Sequence, residues 1–207
     1  MYVFFSREID FGEGLCYYCL TSSHTVFSAI LVYRVFRHER KKFTKLLHGT
    51  LHAMVVVFGA VALKAVFDSH NYNKDAEGEY KPLPNLYSLH SWFGLALCVA
   101  FLLQYAVGFL VFFFPGGSSD FRARVMSIHR PFGLWMFVCA SIVSLMGLAE
   151  HASFHVHCKF CAESTIANLS GIFIVSYVLL VAYLVNKKEF QRRPLPEETS
   201  LQPLTAD

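Results

Sequence analysis

The stretch LHGTLHAMVVVFGAVALKAVF, residues 47–67, decides the fold. A helix needs about 20 mostly apolar residues to cross the hydrocarbon core of a bilayer, and this run supplies them. An amphipathic surface helix would carry polar residues at every third or fourth position, and this run does not. Working outward, three further stretches read the same way: 89–114, 128–148 and 166–185. They are bounded by polar or helix-breaking residues at Asp68, Pro84, Pro115-Gly116-Gly117 and Asn186. The expected fold class is therefore an all-α membrane protein, a helical bundle of four transmembrane helices. A fifth candidate, 15–36, is interrupted by Thr21-Ser22-Ser23-His24, and only 25–36 reads as half a span. It reads either as a span or as an interfacial helix. Residues 1–14 carry Arg7, Glu8, Asp10 and Glu13 and lack the basic start of a signal peptide.

Composition agrees with a lipid-facing chain. Of 207 residues, 55% are hydrophobic and only 16% are charged, against about 25% charged in soluble domains. Mean hydropathy is +0.42. Disorder is excluded for most of the chain, because there is too much apolar surface to bury. A net charge of +3 is too small to point to nucleic acid, so no nucleic-acid partner is expected. The tail 194–207 is polar and Pro-containing and is expected to be disordered.

Orientation follows from the cations, which concentrate on the cytoplasmic side of membrane proteins. Arg34, Arg37, Arg40, Lys41, Lys42 and Lys45 crowd the connection ahead of residue 47. Arg122 and Arg124 lie two connections later, and Lys187, Lys188, Arg192 and Arg193 follow the last span. The alternate loops, 68–88 and 149–165, hold only Lys74, Lys81 and Lys159. The first set, with the C-terminus, is expected to be cytoplasmic.

Ionisable residues within spans are costly and mark function by default. This topology puts His48 and His129 at the same depth near the inner face, and His90 near the outer face. Two histidines projecting into a bundle at one depth can ligate a haem iron from both sides. Such bis-imidazole ligation leaves no open position and favours electron transfer. The alternative is histidines acting as interfacial anchors or hydrogen-bonded core groups. His90 asks for a partner from the segment before residue 25. His52, four residues after His48, reads as a packed polar residue rather than a ligand.

The text from Ala29 to Pro194 resembles the cytochrome b561 family of transmembrane ascorbate-dependent reductases. The matching segments are AILVYRVFRHE, KLLHGTLH, AVFDSHN, NLYSLHSW, RAR with SIHRPFG, GLAEH and IANLSG. The resemblance implies a six-helix bundle, a homodimer, and two b-type haems (heme b). It implies that His48 and His129 hold the iron of the cytoplasmic haem and that His90 holds the outer one. Arg34, Lys41, Lys45 and Arg122 would surround the cytoplasmic haem propionates and an ascorbate site, where cations attract an anionic substrate. Lys41, Lys45, Arg122 and, on the outer side, His70 are the implied substrate contacts. Asn85, Leu86, Tyr87 and Ser88 would line the outer haem, and Glu150 and Arg192 match positions near the haems. The implied reaction carries electrons from cytosolic ascorbate through haem to monodehydroascorbate or ferric iron outside. Secretory vesicle, endosome or lysosome and plasma membrane are all open as the location.

One segment departs from the family. Its Asn-x-His-Pro motif should stand about 20 residues ahead of Val-Tyr-Arg, or about 30 Å of helix, and here that position is Gly14. His24 lies ten residues before Arg34, about 15 Å, too near mid-membrane to meet His90. Residues 1–28 are therefore read as a divergent N-terminus lacking the family's first helix. Residues 29–193 form the core, and only the His48/His129 haem is expected to be secure. A non-catalytic truncated isoform pairing with full-length subunits is the alternative function, and metal handling by outer His and Cys residues is a third. Cys98 and Cys139 read as core residues. Cys16/Cys19 and Cys158/Cys161 are open to zinc, to disulfides or to free thiols.

Overall fold

A computed structural model describes residues 29–196, apart from 76, 115, 156, 157, 159 and 160, and not the His155 side chain. Its four long helices are α1 (Lys41–Asn71), α2 (Leu89–Phe112), α3 (Ser119–His155) and α4 (Ala162–Asn186). All four are long and apolar enough to cross a membrane. A short helical stretch, 29–35, precedes them. Residues 15–28 of the 15–36 candidate lie outside the described residues, as does the tail from 197 on.

The helices run beyond the apolar segments that announce them. α1 begins six residues before residue 47, and α3 begins at Ser119 rather than near 128. With 31 residues α1 is about 46 Å long, against a hydrocarbon core of about 30 Å. The overhang is the basic 41–46 at the end that the orientation argument places at the inner face, and 68–71 at the other end. α2 stops two residues short of the expected end, at Phe112. There Gly116, in the left-handed region at φ 82°, turns the chain, and its N–H donates to the Leu110 carbonyl at 3.2 Å.

Packing proceeds by neighbours: α3 lies against both α2 and α4, and α1 touches α2. Phe137 of α3 and Val181 of α4 are buried, as are Ala29 and Val32 in the short 29–35 stretch and Thr44 in α1. Outside this narrow core the surface is apolar: Trp92, Phe93, Leu103, Phe173 and Leu179 are all more than half exposed. Hydrocarbon exposed to water costs about 25 cal/mol per Å², so such a face belongs in lipid. Within α3, Pro131 has no N–H to give the carbonyl one turn back.

The connection between α1 and α2 is a tied hairpin. The Leu83 N–H donates to the His70 carbonyl at 2.9 Å, and the Lys81 N–H to the Asn73 carbonyl at 2.8 Å. Asp75 Oδ1 accepts from the Glu77 and Glu79 N–H groups. Lys74 and Tyr80 form a bridge across the loop. Ser88 caps α2 by accepting from the Ser91 N–H.

Candidate functional site

Four residues of α1 share one face: Lys41, Lys45, His48 and His52 stand at i, i+4, i+7 and i+11. The helix therefore presents two cations at its basic end and two imidazoles one and two turns further in. α3 supplies His129 to the same place. The His48 and His129 rings lie with centroids 6.4 Å apart and planes at 73°. His52 sits edge-on to His48 at 4.4 Å and against Phe101 at 5.5 Å. Tyr33 flanks His48 at 5.5 Å and Phe112 flanks His129 at 5.6 Å.

These residues fit a haem on three counts. A bond from a first-row metal to an imidazole nitrogen is about 2 Å, with the ring centroid about 1 Å beyond, so an atom shared by two rings needs centroids about 6 Å apart. The observed 6.4 Å meets that requirement. His48 Nδ1–H donates to the Ala29 carbonyl at 2.8 Å, which fixes the tautomer and leaves Nε2 with its lone pair free to bind metal. Finally, the approach to His129 depends on a glycine: a Cβ on Gly108 would stand 3.2 Å from the His129 ring. The buried Nδ1 atoms of His129 and His52 have no hydrogen-bond partner among the described residues. Gln104 Nε2 donates to the His129 carbonyl at 2.8 Å, tying α2 to α3 beside the ring.

His90 repeats the pattern at the other end of the bundle. Its Nδ1–H donates to the Val143 carbonyl of α3 at 2.9 Å, again leaving Nε2 available. A Cβ on Gly147 would meet the His90 ring at 2.7 Å, closer than real Cβ contacts come. The segment ahead of residue 25, expected to carry its partner, lies outside the described residues. Near this end, Asn85 Nδ2 donates to Asn71 Oδ1 at 2.9 Å. Leu86 holds a left-handed φ of 55°, a strained conformation for a side chain with a Cβ. Tyr87 is largely exposed. His70 Nδ1 is buried without a hydrogen-bond partner among the described residues. Glu150 lies half-buried on α3, three residues beyond Gly147.

At the basic end, Arg34 donates to the Val185 carbonyl of α4, and Arg130 is close enough to act on it electrostatically. Lys45 Nζ donates to the Phe112 carbonyl at 2.9 Å and lies 4.9 Å over the Phe113 ring. Arg192 gives two hydrogen bonds to the Glu39 carbonyl, at 3.0 and 2.9 Å. Arg122 is exposed in the first turn of α3. Just past α4, the Tyr183 hydroxyl and then the Glu189 carboxylate raise Lys187 above the usual lysine pKa.

Cys158 and Cys161 are joined by a disulfide, so their sulfurs are not thiolate ligands in this state. Cys98 and Cys139 are free thiols. Cys98 is exposed on α2 rather than in the protein core. Cys16 and Cys19 lie outside the described residues. Sequence reasoning missed Gly108, Gly147, Gln104 and the two carbonyl partners, Ala29 and Val143. No motif in the chain announces them, since each acts through an approach between helices.

Together these features define a class: multi-pass membrane bundles in which two spans bring imidazoles face to face. The chain belongs to the eukaryotic cytochrome b561 family, which residues 18–155 match. Membership implies haem binding. The chain is 45% identical, over 86% of its length and 69% of the relative's, to the Putative transmembrane ascorbate-dependent reductase CYB561 homolog of Caenorhabditis elegans. It is 38% identical to the human Transmembrane ascorbate-dependent reductase CYB561, over 84% of this chain and 67% of that one. To the Xenopus laevis Plasma membrane ascorbate-dependent reductase CYBRD1 it is 33% identical, over 86% and 61%.

Proposed function

We propose that the protein is a transmembrane ascorbate-dependent reductase that passes electrons from cytosolic ascorbate through b-type haem to monodehydroascorbate or ferric iron on the other side. The observation that carries this reading is the facing pair His48 and His129, with the His48 tautomer fixed by Ala29. Haem iron held by two imidazoles supplies one-electron transfer with no open coordination position. His48 and His129 hold the cytoplasmic-side group, and His90, oriented by Val143, holds the outer one.

The other residues bind and orient. Ascorbate is an anion at neutral pH, and Lys41, Lys45 and Arg122 form a cationic mouth that draws it to the α1 end of the bundle. Arg34 and Arg192 supply further positive charge for haem propionates at that end. Phe101, Phe112 and Tyr33 keep water from the imidazoles. On the far side, His70 serves the outer acceptor, while Asn85, Leu86, Tyr87 and Ser88 border the outer haem with Glu150 nearby. A homodimer in the bilayer is the proposed assembly.

The test is reduction of the purified, haem-loaded protein by ascorbate, followed by absorbance. Rapid reduction that saturates with ascorbate supports the reading. Haem-loaded protein that dithionite reduces and ascorbate does not would overturn the assignment of the donor.

A further inference from the structure

We propose that Cys158 and Cys161 form a thiol-exchange site for low-molecular-weight thiols, on the connection between α3 and α4 and separate from the imidazole pair. The two sulfurs are bonded across a Cys-x-x-Cys spacing. In thiol–disulfide exchange one sulfur of such a pair is attacked while the other leaves. The two sulfurs are not equivalent. Cys158 is exposed, whereas Cys161 is half-buried and is the N-cap residue of α4. Its side chain makes no capping hydrogen bond there. Cys158, the exposed sulfur, is the one open to attack, which makes Cys161 the leaving sulfur. Glu163, in the first turn, places Oε2 3.7 Å from Cys161 Sγ and 4.0 Å from Cys158 Sγ. A carboxylate there can take the proton of an incoming thiol and return it to the departing sulfur.

The steps balance. An incoming thiol, giving its proton to Glu163, attacks Cys158 Sγ. The Sγ–Sγ bond breaks, a mixed disulfide forms on Cys158, and Cys161 leaves as thiolate and takes up the proton. A second thiol then attacks the mixed disulfide and releases Cys158 as its thiol. Two external thiols are oxidised to one external disulfide, and the protein pair is reduced by two electrons with two protons.

The experiment uses the purified full chain in detergent with reduced glutathione as the probe. Samples are quenched with an alkylating reagent, and the peptide carrying both cysteines is weighed by mass spectrometry. The expected result is that millimolar glutathione opens the pair in the folded protein and that the transient glutathione adduct sits on Cys158. Glu163→Gln is expected to slow opening several-fold and leave its extent unchanged. A pair that stays closed until the protein is denatured would be a structural cross-link and would overturn the proposal. An adduct confined to Cys161 would overturn the assigned direction of attack, and an unchanged rate in Glu163→Gln would remove the carboxylate from the step. The readout is a peptide mass, so it is independent of haem content and of the reductase reading.

Discussion

Gly147 is where one missing methyl group matters most. A Cβ there would lie 2.7 Å from the His90 ring, whose position is fixed by its hydrogen bond to Val143. Overpacking of this kind costs about 1–3 kcal/mol, and here the strain falls on a proposed haem ligand. Gly147→Ala is expected to lower the haem-to-protein ratio or shift the outer-haem signal, with little effect on the His48/His129 signal. Absorbance and electron paramagnetic resonance on the purified variant check this. At Gly108 the corresponding distance is 3.2 Å, so Gly108→Ala is expected to disturb His129 more mildly. The histidines were legible in the sequence because an ionisable group in an apolar span stands out. The glycines were not, because their significance depends on which ring crosses them from another helix.

At the scale of the element, α1 joins substrate capture to haem ligation along one stripe. Lys41 and Lys45 precede His48 by seven and three residues on the same face. Lys45 is held over Phe113 and against the Phe112 carbonyl, near the His129 ring. Lys45→Ala combined with Arg122→Ala is expected to raise KM for ascorbate roughly tenfold, equivalent to about 1.4 kcal/mol. The haem spectrum should be unchanged, and steady-state kinetics with the spectrum as control measure both. The helices' existence was legible from their apolar runs, and their full length was not. α1 and α3 continue through basic and polar turns that hydropathy alone assigns to loops, because a helix that has already formed extends at little further cost. The disulfide was one of three readings open to Cys158 and Cys161, and spacing alone could not choose among them.

At the scale of the whole molecule, the bundle is a thin core wrapped in apolar surface, and lipid takes the place of the missing interior. The proposed orientation sets the 34–46 and 115–127 connections and the C-terminus in the cytoplasm, with the tied 72–88 hairpin outside. A cysteine introduced as Lys81→Cys is expected to react with an impermeant maleimide on intact cells. One introduced as Ser118→Cys is expected to react only after permeabilisation, with the parent protein correcting for native cysteines. The reverse pattern would invert the molecule and move ascorbate capture to the other side. The order of the four spans was legible in the sequence from their apolar runs and the breakers between them, and their direction is the proposal that the charge placement supports. The way α3 packs between α2 and α4, and thereby carries His129 to His48 and Val143 to His90, was not.

The most direct test of the central claim compares dithionite-reduced minus oxidised spectra of the native protein and His48→Ala, with haem quantified per polypeptide. The account predicts a b-type spectrum in the native protein and the loss of the His48/His129 haem in the variant. An unchanged haem-to-protein ratio in His48→Ala, or a native protein purified with a full lipid shell and no haem, would contradict it.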